Sequence, residues 1–115
     1  NMFSIQQRFE WIEEVFKGYD TIKADKFAGL TVDFCRSVGA NYLLRGLRTS
    51  ADFEFERSVG QINKQLFNEI ETVFFLTDAA YTALNSSMVR EILRHGGNPD
   101  QFIPERLHGK VRLQK

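Results

Sequence analysis

The sequence predicts an α/β fold built on a parallel sheet, in one domain that spans residues 1–115. Helical segments alternate with short apolar segments along the chain, which is the order that right-handed crossover units produce. Hydrophobic residues make up 43% of the chain and charged residues 26%, a balance typical of a globular domain. Eleven phenylalanines supply large apolar side chains for a core.

Apolar residues at three- and four-residue spacing, together with capping residues, mark the predicted helices. The first opens on the capping-box pattern Ser4-x-x-Gln7, and the last opens at Pro104, a residue suited to a first helical turn. Glycines follow several of these segments, as expected at helix ends. The first predicted helix covers residues 5–17, and those between the first and the last cover residues 29–38, 51–66 and 86–94.

Three short segments between these helices are predicted as strands, and the second and third of them are rich in apolar residues. They cover residues 20–25, 41–44 and 71–76. Three strands make a thin sheet, since most sheets have about five or six. A chain of this order that begins on a helix resembles the later part of a larger doubly wound fold.

The first candidate site follows the second predicted strand, where ligands bind in open α/β sheets. Arg45 and Arg48 lie three residues apart, and Gly46 between them lets a ligand approach the backbone. Arginine offers a planar fork suited to phosphate. The alternative is a surface network in which both arginines pair with the acidic residues of the next helix.

That next helix carries a mixed stripe. Asp52, Glu56, Val59 and Asn63 follow one another at helical spacing and therefore share one face. The stripe could line a pocket, or it could be a solvated flank or a subunit contact.

A second candidate segment, Asn85, Ser86 and Ser87, follows the third predicted strand and opens a helix. Asparagine and serine are good N-caps, so we expect Ser86→Ala to cost about 1 kcal/mol through lost capping. A helix N-terminus with free N–H groups and hydroxyls is also an anion site.

Composition narrows the function classes. Fifteen basic and fifteen acidic residues give zero formal net charge, which argues against a general nucleic-acid binder. No apolar run approaches the roughly 18 residues of a membrane span. The chain has a single cysteine, Cys35, so it has no internal disulfide, and this favours a cytoplasmic protein. We expect Cys35 to be a small buried residue. His95 and His108 share no metal-ligand spacing, so no metal-ligating residues are predicted.

Taken together, several segments resemble the bacterial phosphopantetheine adenylyltransferase family in order and spacing over nearly the whole chain. The resemblance implies a Rossmann-like sheet with helices on both faces. It implies transfer of AMP from ATP, with Mg²⁺, to 4′-phosphopantetheine, giving dephospho-coenzyme A and pyrophosphate in coenzyme A biosynthesis. It also implies a homohexamer. The segments are MFSIQQR, FAGLTVDFCRSVGA, LLRGLRTSADFEFE, INKQL, ETVFFL and NSSMVREILRHGGNPDQFIPERL.

The resemblance also implies site residues. Phe55 stands where many members have tyrosine, and Asn85 replaces a serine. On the phosphopantetheine (or coenzyme A) side the implied residues are Leu30, Thr31, Arg45, Phe55, Val59, Ile62, Asn63 and Glu91. On the ATP side they are Arg45, Gly46, Arg48, Asp52, Glu56, Tyr81, Asn85, Ser86 and Ser87.

The family's first strand, its Thr-x-Gly-His loop and a substrate-binding lysine have no counterpart in this sequence. No catalytic residue is therefore predicted in this chain, and we expect this stretch alone to be inactive or very weak. Three alternatives stay open. They are another small nucleotidyltransferase, an inactive phosphopantetheine- or coenzyme A-binding or assembly module, and a structural α/β interaction domain.

Overall fold

Two parallel strands, β1 (Tyr42–Leu47) and β2 (Glu71–Leu76), form the sheet in a computed structural model that describes residues 2–81 and 83–113. The register places Leu43 opposite Thr72 and Arg45 opposite Phe74. The helices are α1 (Ile5–Val15), α2 (Thr31–Val38), α3 (Ser50–Leu66) and α4 (Ser86–Arg94). The predicted parallel α/β architecture is confirmed.

The chain divides into two units, which we call the terminal unit (Asn1–Lys26 with Leu84–Lys115) and the central unit (Phe27–Ala83). The central unit holds α2, β1, α3 and β2. The terminal unit holds α1, α4 and short 3-10 turns near the C-terminal end. That residues 1–115 form a single domain stays a prediction.

In the central unit, α3 lies close against the sheet. At Gly60 a Cβ atom would lie 3.4 Å from the Thr72 hydroxyl oxygen, which is van der Waals contact with β2. Phe53 and Phe74 pack edge-to-face, with ring centroids 6.2 Å apart. Arg36 on α2 donates to the carbonyl of Leu66 at 2.7 Å and so joins the two helices.

The buried side chains of the central unit lie where its elements meet. Val32 and Cys35 on α2, Leu47 at the end of β1 and Ile70 before β2 are all almost fully buried. Cys35 is thus the small buried residue that the sequence predicts. Gly39 ends α2 in the left-handed region at φ 72°, where a side chain would be strained.

The terminal unit has its own apolar cluster. Leu93 on α4 packs with Leu107 and Val111, and Trp11 of α1 lies against them. Arg106 then donates to the carbonyls of Val15 and Lys17, at 3.0 and 2.6 Å. These bonds satisfy carbonyls at the end of α1, which have no partner within the helix.

The structure confirms several predicted bounds and corrects others. The helices predicted at 51–66 and 86–94 and the strand at 71–76 are confirmed to within one residue. The strand predicted at 20–25 is wrong, because a strand needs a hydrogen-bonded neighbour and no described strand pairs with this segment. The helix predicted from Pro104 is only a 3-10 turn, Glu105–Leu107.

The strand predicted at 41–44 is longer at its C-terminal end. The ladder with β2 continues through Arg45, Gly46 and Leu47, so the first arginine lies in the strand and not after it. Among the described residues, no helix has the length and apolar character that crossing a bilayer requires.

Candidate functional site

A pocket of about 150 Å³ lies in the central unit between the sheet and the helices α2 and α3. It combines one arginine and one glutamate with hydroxyl, amide and apolar groups. Its lining residues are Thr31, Leu43, Arg45, Glu56, Val59, Gly60, Asn63 and Thr72.

Arg45 and Glu56 form a bidentate ion pair at this pocket. The Arg45 Nε donates to Glu56 Oε2 at 2.9 Å, and Nη2 donates to Oε1 at 2.7 Å. The Glu56 side chain is only 14% exposed, whereas that of Arg45 is 53% exposed. The hydrogen bond lowers the pKa of Glu56 and raises that of Arg45. Both groups are therefore charged at neutral pH.

The periodicities of strand and helix bring these two side chains together. Leu43 and Arg45 are two residues apart on β1 and share the sheet face that meets α3. Glu56, Val59 and Asn63 are three and four residues apart on α3 and share one helix face. Three members of the stripe predicted from the sequence, Glu56, Val59 and Asn63, therefore line the pocket, and Asp52 does not.

A second, looser ion pair lies at the start of α3. Arg48 Nε is 3.5 Å from Asp52 Oδ2, and the Arg48 backbone N–H donates to the same oxygen at 3.3 Å. The Thr49 hydroxyl accepts from the Asp52 N–H at 3.1 Å and caps the helix. The alternative interpretation, that both arginines pair with acidic residues of this helix, therefore holds for Asp52 and Glu56, and phosphate binding by the arginines stays a prediction.

The other predicted residues of the central unit divide into two groups. Thr31, Val59 and Asn63 line the pocket with Arg45 and Glu56. The remainder do not line it, and the large apolar members are more than half exposed. These are Leu30, Gly46, Phe55, Ile62 and Tyr81.

The remaining predicted residues belong to the terminal unit. Asn85 caps α4, since its Oδ1 accepts from the Met88 N–H at 2.8 Å. The expectation that Ser86 caps is wrong, because Ser86 is the first helical residue. Arg90 donates to the Ser87 hydroxyl at 3.0 Å. Glu91 lies 2.7 Å from His95 Nε2, and this hydrogen bond lowers the pKa of Glu91.

Sequence reasoning missed three lining residues, Leu43, Gly60 and Thr72. The alternation along β1 places Leu43 beside Arg45, and that signal was readable in the sequence. Thr72 lines the pocket because the strand register places it opposite Leu43, and Gly60 lines it because α3 lies close to β2. No local sequence pattern predicts either arrangement.

The sequence of this chain is similar to those of several known proteins. The sequence model of the cytidylyltransferase-like family matches residues 1–92. The phosphopantetheine adenylyltransferase of Flavobacterium psychrophilum is 41% identical over 109 residues, which cover 95% of this chain and 72% of that protein. That of Flavobacterium johnsoniae is 42% identical over 114 residues, or 99% and 72%. That of Lachnoclostridium phytofermentans is 44% identical over 103 residues, or 90% and 63%.

Proposed function

Because this chain belongs to the phosphopantetheine adenylyltransferase family, we propose that it serves adenylyl transfer from ATP to 4′-phosphopantetheine in coenzyme A biosynthesis. A phosphate oxygen of 4′-phosphopantetheine attacks the α-phosphorus of ATP in this reaction. The bond from that phosphorus to the leaving pyrophosphate breaks, and dephospho-coenzyme A forms. The names of the relatives support this enzyme function over an inactive binding module.

The observation that carries the proposal is the composition of the pocket around Arg45. Arg45 supplies a permanent positive charge for a phosphate. Thr31 and Asn63 offer a hydroxyl and an amide, while Leu43 and Val59 provide apolar walls. A volume of about 150 Å³ is below the usual range for a whole ligand, so we assign to it only part of the substrate, the phosphate and the adjoining arm.

In our proposal no covalent enzyme intermediate forms. The protein therefore acts mainly by positioning the substrates and by stabilising the charge that develops during transfer. Arg45 holds the attacking phosphate and offsets the charge that builds up during transfer. The segment that follows Arg45 also contains Arg48, Asp52 and Glu56, and we assign these three residues to the nucleotide side. Gly46 and Tyr81 of the central unit are assigned there too, and the ATP-side roles of Asn85, Ser86 and Ser87 stay predictions from the family resemblance.

Magnesium enters the proposal with ATP, as a counter-ion of the phosphates. Within residues 2–81 and 83–113, no three His, Cys, Asp or Glu side chains are grouped to hold a metal ion. The carboxylates nearest the pocket, Glu56 and Asp52, are paired with arginines. The described residues therefore do not fit a protein-held metal, and no step is assigned to the ion. We also propose a cytoplasmic homohexamer.

A calorimetric titration with dephospho-coenzyme A, followed by an assay of pyrophosphate release from ATP and 4′-phosphopantetheine, tests the proposal. Saturable binding of dephospho-coenzyme A is the expected result, and pyrophosphate release is expected once the family's Thr-x-Gly-His loop is supplied, because residues 1–115 alone are expected to be inactive or very weak. Binding without release even then would support a phosphopantetheine- or coenzyme A-binding module instead. Absence of both would overturn the proposed function.

A further inference from the structure

We infer that Glu56 is a positioning residue, which holds Arg45 by one edge of its guanidinium so that the other edge serves the substrate phosphate. The inference rests on the proposed function and assigns to Glu56 a role through Arg45, in addition to the place on the ATP side that the family resemblance implies for it. The alternative role is competition. A carboxylate that competed with phosphate for Arg45 would have to dissociate from Arg45 before the ligand could bind.

The first step of the argument is the geometry of the guanidinium. An arginine has five N–H donors in one plane, arranged so that two edges can each bind an anion. Glu56 occupies the edge formed by Nε and Nη2, at 2.9 and 2.7 Å. Within residues 2–81 and 83–113, Nη1 has no hydrogen-bond partner. The edge formed by Nη1 and Nη2 is therefore available to a phosphate while Glu56 stays bound.

The second step is the difference in burial. Glu56 is the enclosed member of the pair, with a side chain 14% exposed, and Arg45 is the accessible member at 53%. Separating the pair would leave a largely enclosed carboxylate without its partner, which is costly. Because the ion pair resists separation, the burial of Glu56 favours a positioning role over competition with the phosphate for Arg45.

The third step is the contrast with the neighbouring pair. Arg48 Nε and Asp52 Oδ2 lie 3.5 Å apart, and both side chains are about one-third exposed or more. This contact is longer than either of the two bonds between Arg45 and Glu56. The two-point contact of Arg45 fixes the plane of its guanidinium, which is what bidentate phosphate recognition requires.

A double-mutant cycle measured by calorimetry with dephospho-coenzyme A tests the inference. The proteins are the unmodified chain, Glu56→Gln, Arg45→Ala and the double variant. We expect Glu56→Gln to weaken binding by about tenfold alone and by clearly less in the Arg45→Ala background, because the part of its effect that acts through Arg45 is then already lost. Glu54→Gln is the matched control, because it removes the same charge from an exposed position of α3 outside the pocket.

Tighter binding by Glu56→Gln would overturn the inference in favour of competition. Equal weakening in both backgrounds would also overturn it, since Glu56 would then act without Arg45. Glu56→Asp guards against a folding defect of the first variant, and it is expected to bind at an intermediate affinity because it keeps the charge. If the unmodified protein binds no dephospho-coenzyme A, the proposed function is wrong, and this inference, which rests on it, is wrong as well.

Discussion

Two segments of this chain are candidates for phosphate binding, and they are built differently. In the central unit, Arg45 lies on a strand and its partner Glu56 lies eleven residues away on a helix. In the terminal unit, Asn85 caps its own helix through a contact three residues away. The first depends on tertiary packing and the second on local geometry. Changes in the first segment should therefore alter ligand binding, and changes in the second should alter helix stability first.

The largest expected effect is that of Arg45→Ala on ligand affinity. Loss of a charged hydrogen-bond donor typically costs about 1.5–3 kcal/mol, so binding of dephospho-coenzyme A should weaken by roughly ten- to a hundredfold. Isothermal calorimetry measures the change directly. The matched control is Arg57→Ala, which removes an exposed arginine of α3 outside the pocket. Equal affinities for Arg45→Ala and the unmodified protein would remove Arg45 from the site.

The second prediction concerns pH and again depends on the central pair. Arg45 lowers the pKa of Glu56, and the nearby Asp52 opposes this shift only in part. A carboxyl group with a lowered folded pKa adds stability above its unfolded pKa of about 4.3, and that stability is lost as pH falls through the folded value. The melting temperature of Glu56→Gln should therefore lie below that of the unmodified protein at neutral pH, and the gap should close in acid.

Thermal unfolding followed by circular dichroism between about pH 7 and pH 3 measures that gap. Glu54→Gln provides the background, since it removes an exposed carboxylate from the same helix. A gap that stays constant across this range would show that Glu56 contributes to folding by packing and not by charge.

The third prediction belongs to the terminal unit. Asn85→Ala removes the N-cap of α4 and should lower the free energy of unfolding by about 1 kcal/mol. Ser86→Ala changes a helical position one residue later and should stay within about 0.5 kcal/mol. Urea denaturation of both variants makes the comparison. A larger loss for Ser86→Ala than for Asn85→Ala would contradict the observed capping contact.

These contrasts explain how far the sequence could predict the structure. The α3 helix, β2 and the capped start of α4 depend on periodicity and local side-chain contacts, so their patterns predicted them nearly to the residue. The segment at 20–25 has only two residues that favour strands, Thr21 and Ile22, and no described strand pairs with it. Local propensity cannot supply a partner.

The candidate site shows the same division. The sequence predicts that Arg45 binds phosphate, which stays a prediction, and it marks Glu56 as part of a stripe. It did not identify their bidentate contact, because that contact depends on how α3 lies against β1. Thr72 was missed for the same reason, since it enters the pocket through the strand register. Side chains from distant segments come together only once packing is known.

The smallest expected effect separates the two ion pairs of the central unit. Asp52→Asn removes a charge whose contact with Arg48 is 3.5 Å long and partly exposed. Such pairs contribute about 0–1 kcal/mol, and salt screens them. The variant should therefore lose little stability in low salt and almost none near 1 M salt, where the Debye length falls to about 3 Å. Urea denaturation at both ionic strengths, with Glu56→Gln beside it, tests the ranking. A loss for Asp52→Asn as large as that for Glu56→Gln would show that burial and two-point contact do not set the strength of these pairs.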